Sequence, residues 1–571
     1  MRAERPKARQ SQLVTTYGVG ALFPAGDQSL MICGIDEWDD RWAAEVEEPR
    51  LARSLGVQIF KAPPTGRRAG DVPSVRFPYY HYCPGCRRLD VFWRFDSVTM
   101  MCRDCDRELT PSRFVACCED GHIEDFPYFQ WVHRGADVAP GTRHSLSLTS
   151  RGASSSLADI VISCTCGAPP YDLDGSFGRG ALREVKSCGG HRPWLPSSTD
   201  EPCHKPLRVL QRGSSNVWFS SVRSAISIPP WSSPDARFVN KHWALLSHLP
   251  AEQLEMILGP LVATDRTGVT AEGIKRAIER RRGIAVQPPP TEADLRNDEY
   301  HALVDGHDAN GTATFKTRAI EVSASIAGLV VQVSAVDRLR EVRALHGFTR
   351  VTASPTATAS PRVAKLSSKP LDWLPATEVL GEGVFFRVSE DLLATWQQSE
   401  LARSRHRMLE EAMRHRDTGG SAEAKSVPSL RFLAVHSLAH MVLKELSLDA
   451  GYPVGALRER VYAEGDQAGI LIYTASSDAA GSLGGLAALA ETEAFARAVL
   501  GAVSRGGWCT NDPVCAESAA SGSDGMSLSA CHACMLLPET SCESMNVFLD
   551  RTLVAGPPGV PEEGLAGVLR V

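Results

Sequence analysis

The sequence predicts a mixed α/β, multidomain (α+β) protein with zinc-ribbon-like modules toward the N-terminus, a helical middle and a C-terminal zinc-binding domain. Three observations lead there. The sixteen cysteines are clustered, ten of them between residues 83 and 203 and five between 509 and 542, with Cys33 apart. Residues 204–508 carry none. The stretch between the clusters shows helical apolar spacing interrupted by Pro-rich breaks. The organisation expected is an N-terminal segment over 1–75, a cysteine-rich region over 76–215, a central region over 216–424 and a C-terminal domain over 425–571.

Bulk composition restricts the function classes. The chain has 571 residues, 43% hydrophobic and 22% charged, with a net charge of −6. This describes an ordinary globular protein of several domains. The opening MRAERPKARQ has no apolar stretch behind it, so no secretory signal is expected. No apolar run approaches the roughly 18 residues of a membrane span. A cytoplasmic location is therefore expected, where disulfides would be reduced and clustered cysteines point to metal.

Taken in chain order, the first seventy residues mix strand-like SLMICGI with the acidic DEWDDRWAAEVEEP, and KAPPTGRRAGDVPS at 61–74 is a loop. Cys83-x2-Cys86 and Cys102-x2-Cys105 follow, fifteen residues apart. Two such knuckles form a thiolate cage for zinc, with bonds of about 2.3 Å, and four ligands leave no open position for catalysis. Pro84 and Gly85 suit the first tight turn. Cys117, Cys118 and His122 either add ligands or simply pack. Cys164, Cys166, Cys188 and Cys203 are expected to form a second four-cysteine site, with His191 and His204 as possible substitutes. In the last cluster Cys531 and Cys534 are the firm pair. The other two ligands come from Cys509, Cys515 and Cys542, and spacing alone leaves that choice open. Two to three structural Zn2+ ions are expected in all.

The middle of the chain reads WALLSHLPAEQLEMILGPL and AEGIKRAIERRRG, both helical, with VQPPPTEAD as a break. Residues 352–370 are rich in Ser, Thr and Pro and read as a mobile loop. LLATWQQSELARSRHRMLEEAMRHR is a long charged helix, and VPSLRFLAVHSLAHMVLKELSLDAG a buried one. Lys275, Arg276, Arg280, Arg281 and Arg282 are candidate nucleic-acid contacts, as are Arg405, Arg407, Arg414 and Arg416. A charge run is more often a solvated face.

Familiar enzyme chemistry is missing. No GK dipeptide occurs, which argues against a P-loop ATPase. His436 and His440 share one helix face, but Ser437 stands where a zinc protease of the HExxH kind places its base. A metalloenzyme would need a distant carboxylate such as Glu445 or Asp478. Gly481, Gly484 and Gly485 lack the lysine of a phosphate loop and read as a turn into a helix.

Several long phrases resemble the DrmB family of DISARM anti-phage defence subunits. They are SQLVTTYGVGALF, CCEDGHIEDFPYFQWVH, LQRGSSNVWFSSVRSAISIPPW, DRLREVRALHGFTRV and CHACMLLPETSCESMNVFLDRTLV. The resemblance runs from Gln10 to Ala555 and is weakest near 352–370. From Lys425 on, the chain is similar to the helicase-associated (MrfA-type) zinc-binding domain. There the resemblance implies a four-cysteine zinc site, a Gly-rich segment (Gly481–Gly485) and a closing phrase of Asn546, Leu549, Asp550 and Arg551. Two departures stand out: Cys515 is an extra cysteine, and Ser-Ala-Cys-His-Ala-Cys replaces the usual Gly-Cys-Pro. The family implies a non-catalytic zinc-binding subunit that partners a helicase-like ATPase of the DrmA type and reaches DNA through that complex, with no membrane involvement. The alternatives are a zinc enzyme acting on nucleic acid or protein, and a stand-alone DNA-binding protein.

Overall fold

The computed structural model describes residues 8–41, 43–64, 72–95, 99–135, 144–152, 156–264, 269–306, 314–352, 363–417, 427–474, 485–519, 521 and 526–569. The architecture is mixed α+β, as the sequence predicts. The chain forms two compact units, each assembled from separated stretches. One comprises Met1–Val46, Ile59–Arg223 and Arg343–Thr377; the other comprises Glu47–Gln58, Ser224–Val342 and Glu378–Val571. Each unit thus draws on stretches that are distant in sequence.

The first unit is built from small antiparallel sheets. One six-stranded sheet runs in the order Tyr171–Asp172, Ile160–Cys164, Leu146–Ser150, Arg88–Val91, Tyr80–Tyr82, Thr110–Pro111. A second sheet places Phe114–Cys117 between Ile123–Asp125 and Arg208–Gln211. The strands of both sheets share one apolar cluster, which includes Leu89, Phe114, Leu146, Ile162 and Val209, whereas the cluster at the first knuckles holds Cys83, Phe95, Cys102 and Leu109, with Cys105 partly buried beside it. Arg350 provides polar cohesion. Its buried guanidinium donates to the carbonyls of Gly121 (2.8 Å), Val217 (2.6 Å) and Gly20 (2.8 Å), satisfying three segments at once.

The second unit has a large core around the helix Leu430–Ala450. Ser429 caps it by accepting from the Phe432 N–H (3.2 Å), and Gly451, at φ +70°, ends it in the left-handed conformation. Leu433, Val435, Leu438, Val442 and Leu446 are buried with Phe495 and Val499 of the helix Thr492–Gly506, and with Leu553 and Val554 near the C-terminus. The antiparallel pair Leu457–Tyr462 and Gly469–Thr474 lies against the same core.

The middle of the chain is helical only in part. Pro234–Lys241, Ala251–Thr264, Ala271–Val286 and Glu292–Asp305 are helices, but two long strands follow, Val330–Thr349 and Trp373–Val388. The strand pattern is hidden in the sequence because its charges face inward: Glu341 is fully buried, Arg343 nearly so. The long charged helix is in fact two, Glu390–Trp396 and Glu400–Asp417, the second opened by Ser399, which accepts from the Ala402 N–H (3.2 Å). Of the Ser/Thr/Pro stretch, residues 353–362 lie outside the described residues, while Ala364 and Leu366 are buried. Gly481, Gly484 and Asp478 also lie outside them.

Candidate metal centres

Among the described residues, five groups of Cys, His and Glu converge, each with its ligand atoms within 4.8 Å of one another. Three are in the first unit and two in the second.

Cys83, Cys86, Cys102 and Cys105 meet on two knuckles of the same form. In each, the first cysteine's carbonyl accepts from the N–H four residues on, Arg87 (2.9 Å) and Asp106 (2.9 Å), both residues having positive φ. Each first cysteine N–H donates in turn to a carbonyl five residues on, Arg88 (2.9 Å) and Arg107 (2.8 Å). A Cβ on Gly85 would lie 2.8 Å from the Cys105 sulfur, so glycine is required there for the sulfurs to converge. The Cys86 and Cys102 sulfurs are 3.7 Å apart and Cys83 and Cys105 3.1 Å, far from the roughly 2.05 Å of a disulfide. A zinc tetrahedron with Zn–S bonds of about 2.3 Å has edges of about 3.8 Å, so the donor set fits zinc. Despite burial, Cys83 is drawn down to about 7 by backbone N–H donors and Cys105, while that contact pushes Cys105 up to about 12. Only a cation would let all four thiols ionise together.

The four-cysteine site expected from Cys164, Cys166, Cys188 and Cys203 divides in two. Cys188 and Cys203 converge with Cys118 and His122, whereas Cys164 and Cys166 converge with His133 and His144. In the first of these groups the Cys118 sulfur is 3.4 Å from His122 Nδ1. A hydrogen bond with Cys188 takes the Cys118 thiol down to about 4 against the effect of burial. Gly190, at φ +73°, donates its N–H to the Cys188 sulfur (3.3 Å), and a Cβ there would sit 1.6 Å from the Glu201 carbonyl oxygen. In the second group His133 Nε2 is 3.3 Å from the Cys166 sulfur and His144 Nδ1 is 3.4 Å from that of Cys164. The N–H of His133 Nδ1 donates to the Phe129 carbonyl (2.7 Å), leaving Nε2 as the free ligand nitrogen. The N–H of Ala168 and His133 pull the Cys166 thiol down to about 6. His191 pairs instead with Asp200 (2.7 Å), His204 is exposed, and Cys117 packs in its strand with burial raising its thiol to about 12.

In the second unit Cys509, Cys515, Cys531 and Cys534 converge, and Cys542 does not join them. Sulfur separations are 3.5 Å for Cys509–Cys531 and 3.7 Å for both Cys515–Cys534 and Cys531–Cys534. These again match a zinc tetrahedron. The closing phrase implied by the resemblance frames this group. The Asn546 side chain bonds both the N–H and the carbonyl of Leu537, each at 2.8 Å. Buried Arg551 donates to Asp512 (2.5 Å) and to the Gly506 carbonyl (2.9 Å), and Asp512 in turn accepts from the Cys509 N–H (2.7 Å).

The fifth group was not foreseen as such. His436 and His440 meet Glu459 and Cys542, all buried. Of the two distant carboxylates that the sequence offers a metalloenzyme, Glu445 pairs instead with Arg505, and Asp478 lies outside the described residues.

The basic candidates are partly spoken for. Arg282 donates to the carbonyls of Leu246 (3.2 Å), Ser247 (3.2 Å) and Leu249 (2.8 Å), and Arg281 stacks 4.3 Å from the Trp243 ring centroid. Arg280 lies over Trp231 and Lys275 pairs with Glu255 (2.7 Å), while Arg276 is exposed. Arg405 is buried between Asp550 (2.7 Å) and Ser529 (2.8 Å); Arg407 pairs with Glu400 (2.8 Å), and Arg414 is exposed.

Comparison with known proteins finds two family matches along the chain and a relative of nearly full length. Residues 9–219 match a family described as a domain of unknown function (DUF8724), and this span holds the first three groups. Residues 438–535 match the MrfA Zn-binding domain, which holds the four-cysteine group of the second unit. Over 564 residues the chain is 28% identical to the DISARM protein DrmB of Bacillus paralicheniformis, covering 92% of this chain and 96% of that one. The chain resembles DrmB along nearly its whole length. The resemblance read from the sequence is thereby borne out, including the zinc-binding domain at its C-terminal end.

Proposed function

We propose that the chain is a non-catalytic, zinc-clamped subunit of a DISARM-like anti-phage defence complex, where it partners a helicase-like ATPase in the cytoplasm to engage foreign DNA. The observation that carries this reading is the similarity to DISARM protein DrmB over 92% of the chain. The donor groups support the non-catalytic part. Each supplies four protein ligands, which closes a tetrahedral ion to substrate and water. Zinc in such groups holds short loops in fixed positions, a means of presenting a surface to a partner.

The four cysteine-led groups would each hold one Zn2+ through Cys83, Cys86, Cys102 and Cys105; Cys118, His122, Cys188 and Cys203; His133, His144, Cys164 and Cys166; and Cys509, Cys515, Cys531 and Cys534. DNA contact by this chain rests on exposed basic residues such as Arg276, Arg407 and Arg414, supplementing what the ATPase subunit binds.

The test is co-expression with a helicase-like ATPase subunit of the DrmA type. The expected result is co-elution at fixed stoichiometry, background ATP hydrolysis by the chain alone, and DNA affinity of the complex that falls steeply with salt. Brisk hydrolysis by the purified chain, or separate elution of the two, would overturn the reading.

A further inference from the structure

We propose that His436, His440, Glu459 and Cys542 form a further zinc site, closed and structural, which ties the C-terminal segment to the main helix of the second unit. The MrfA-type match spans 438–535, so two of the four ligands, His436 and Cys542, lie outside it. The inference does not depend on the DISARM reading.

The four side chains come from three places. His436 and His440 are one turn apart on the helix Leu430–Ala450, Glu459 is on the adjacent strand Leu457–Tyr462, and Cys542 is on the loop after the four-cysteine group. His436 and His440 have no exposed surface, Glu459 has 1% and Cys542 4%. His436 Nε2 is 3.0 Å from Glu459 Oε1 and 3.3 Å from the Cys542 sulfur, and His440 Nε2 is 3.3 Å from the same oxygen. Donor atoms bound to one zinc at about 2.0–2.3 Å stand roughly 3.3–3.8 Å apart, so these separations are close to tetrahedral edges.

The tautomers point the same way. The N–H of His440 Nδ1 donates to the Met535 carbonyl (2.9 Å), so a neutral imidazole turns its Nε2 lone pair into the group. Without a cation, that lone pair would face the Glu459 Oε1 oxygen at 3.3 Å, while His436 Nε2 lies 3.0 Å from the same oxygen. Among the described residues, buried Glu459 Oε2 and His436 Nδ1 have no hydrogen-bond partner. Buried carboxylate oxygens are rarely left so. With Zn2+ present, two neutral histidines, one carboxylate and one thiolate sum to zero charge, the arrangement that costs least in a dry interior. The Asn546 N–H donates to the Cys542 sulfur (3.3 Å), which supports the thiolate.

The site also touches its neighbour. Met535, which holds His440, follows the ligand Cys534, and its own N–H donates to the Cys531 carbonyl (2.9 Å). Residues 531–542 are therefore gripped at both ends, by the four-cysteine group and by this one.

Elemental analysis of the full-length chain tests the proposal. His436→Asn and Cys542→Ala should each lose about one zinc per chain relative to wild type, and the ligand-for-ligand change Cys542→His should retain it. Folded variants with unchanged zinc content would overturn the site. Should the variants fail to fold, anomalous diffraction from wild-type crystals at the zinc edge decides. A peak between the four donor atoms is expected, and peaks at the four-cysteine groups with none here would refute the proposal.

Discussion

The amino-terminal knuckles and the C-terminal four-cysteine group use the same ligands for different ends. Beneath Cys83, Cys86, Cys102 and Cys105 lies an apolar cluster of four buried residues, two of them the cysteines themselves. An ion there would stand in for a core. Cys509, Cys515, Cys531 and Cys534 instead edge a core of more than forty buried side chains centred on the helix Leu430–Ala450. There an ion would fasten loops to a body that stands without it. The lesson is that identical coordination can supply either folding energy or local order, according to how much apolar area lies behind it.

Metal removal should separate the two regions most sharply. Zinc binding in small metal-dependent modules is worth on the order of 10 kcal/mol, so Cys83→Ser or chelation should unfold the two knuckle turns, whose own apolar cluster holds Cys83, Phe95, Cys102 and Leu109. Hydrogen exchange would report this as lost protection at the N–H groups of Cys83, Arg87, Cys102 and Asp106. In contrast, Cys509→Ser should loosen residues 507–519 and 526–536 while leaving the helix Leu430–Ala450 protected. If both variants unfold to the same extent, the distinction fails.

The second unit should be more sensitive to its buried ion network. Arg460, fully buried, donates to Glu299 (2.7 and 2.8 Å) and to Ser224 Oγ (2.8 Å). Arg460→Ala leaves Glu299 charged without its main partner and should cost about 3–5 kcal/mol, measured by chemical denaturation. A smaller effect is expected at the first knuckle. Gly85→Ala forces a Cβ toward the Cys105 sulfur and should cost about 1–3 kcal/mol, with weaker zinc retention in competition with a chromogenic chelator.

The smallest effect near neutral pH is a pH dependence in the first unit. Burial, aided by Arg223, lowers His346 from 6.5 to about 4. Its folded value lies below its unfolded one, so unfolding takes up a proton in that window. The stability it contributes is present above pH 6.5 and is lost as pH falls toward 4. Between these limits the Tm of wild type should drop more than that of His346→Gln.

What was legible in the sequence follows from how locally each feature is encoded. The CxxC pairs were readable because one tight turn delivers two ligands. His133 and His144 carried no such signal, since one ends a short helix and the other precedes a strand, and only folding sets them beside Cys164 and Cys166. The cysteine count therefore suggested one site where the structure forms two. Glu459 was hidden between Arg458 and Arg460 in a strand that reads as a charged edge but is largely buried. Cys542 was counted with the other C-terminal cysteines because sequence distance does not show which side of Met535 a loop will turn to. The mixed α+β class and the buried helix over 430–450 were plain from apolar spacing, whereas inward-facing charges concealed the strand Val330–Thr349.

The account's central claim is that five closed donor groups, not two or three, organise this chain around structural zinc. Elemental analysis of the intact wild-type protein, purified without chelator and quantified by amino-acid analysis, tests it most directly. The account predicts about five zinc ions per chain, one for each four-ligand group. A value of about four would leave one group without an ion, which loss of zinc in His436→Asn would show not to be the His436–Cys542 site, and three or fewer would contradict the claim itself.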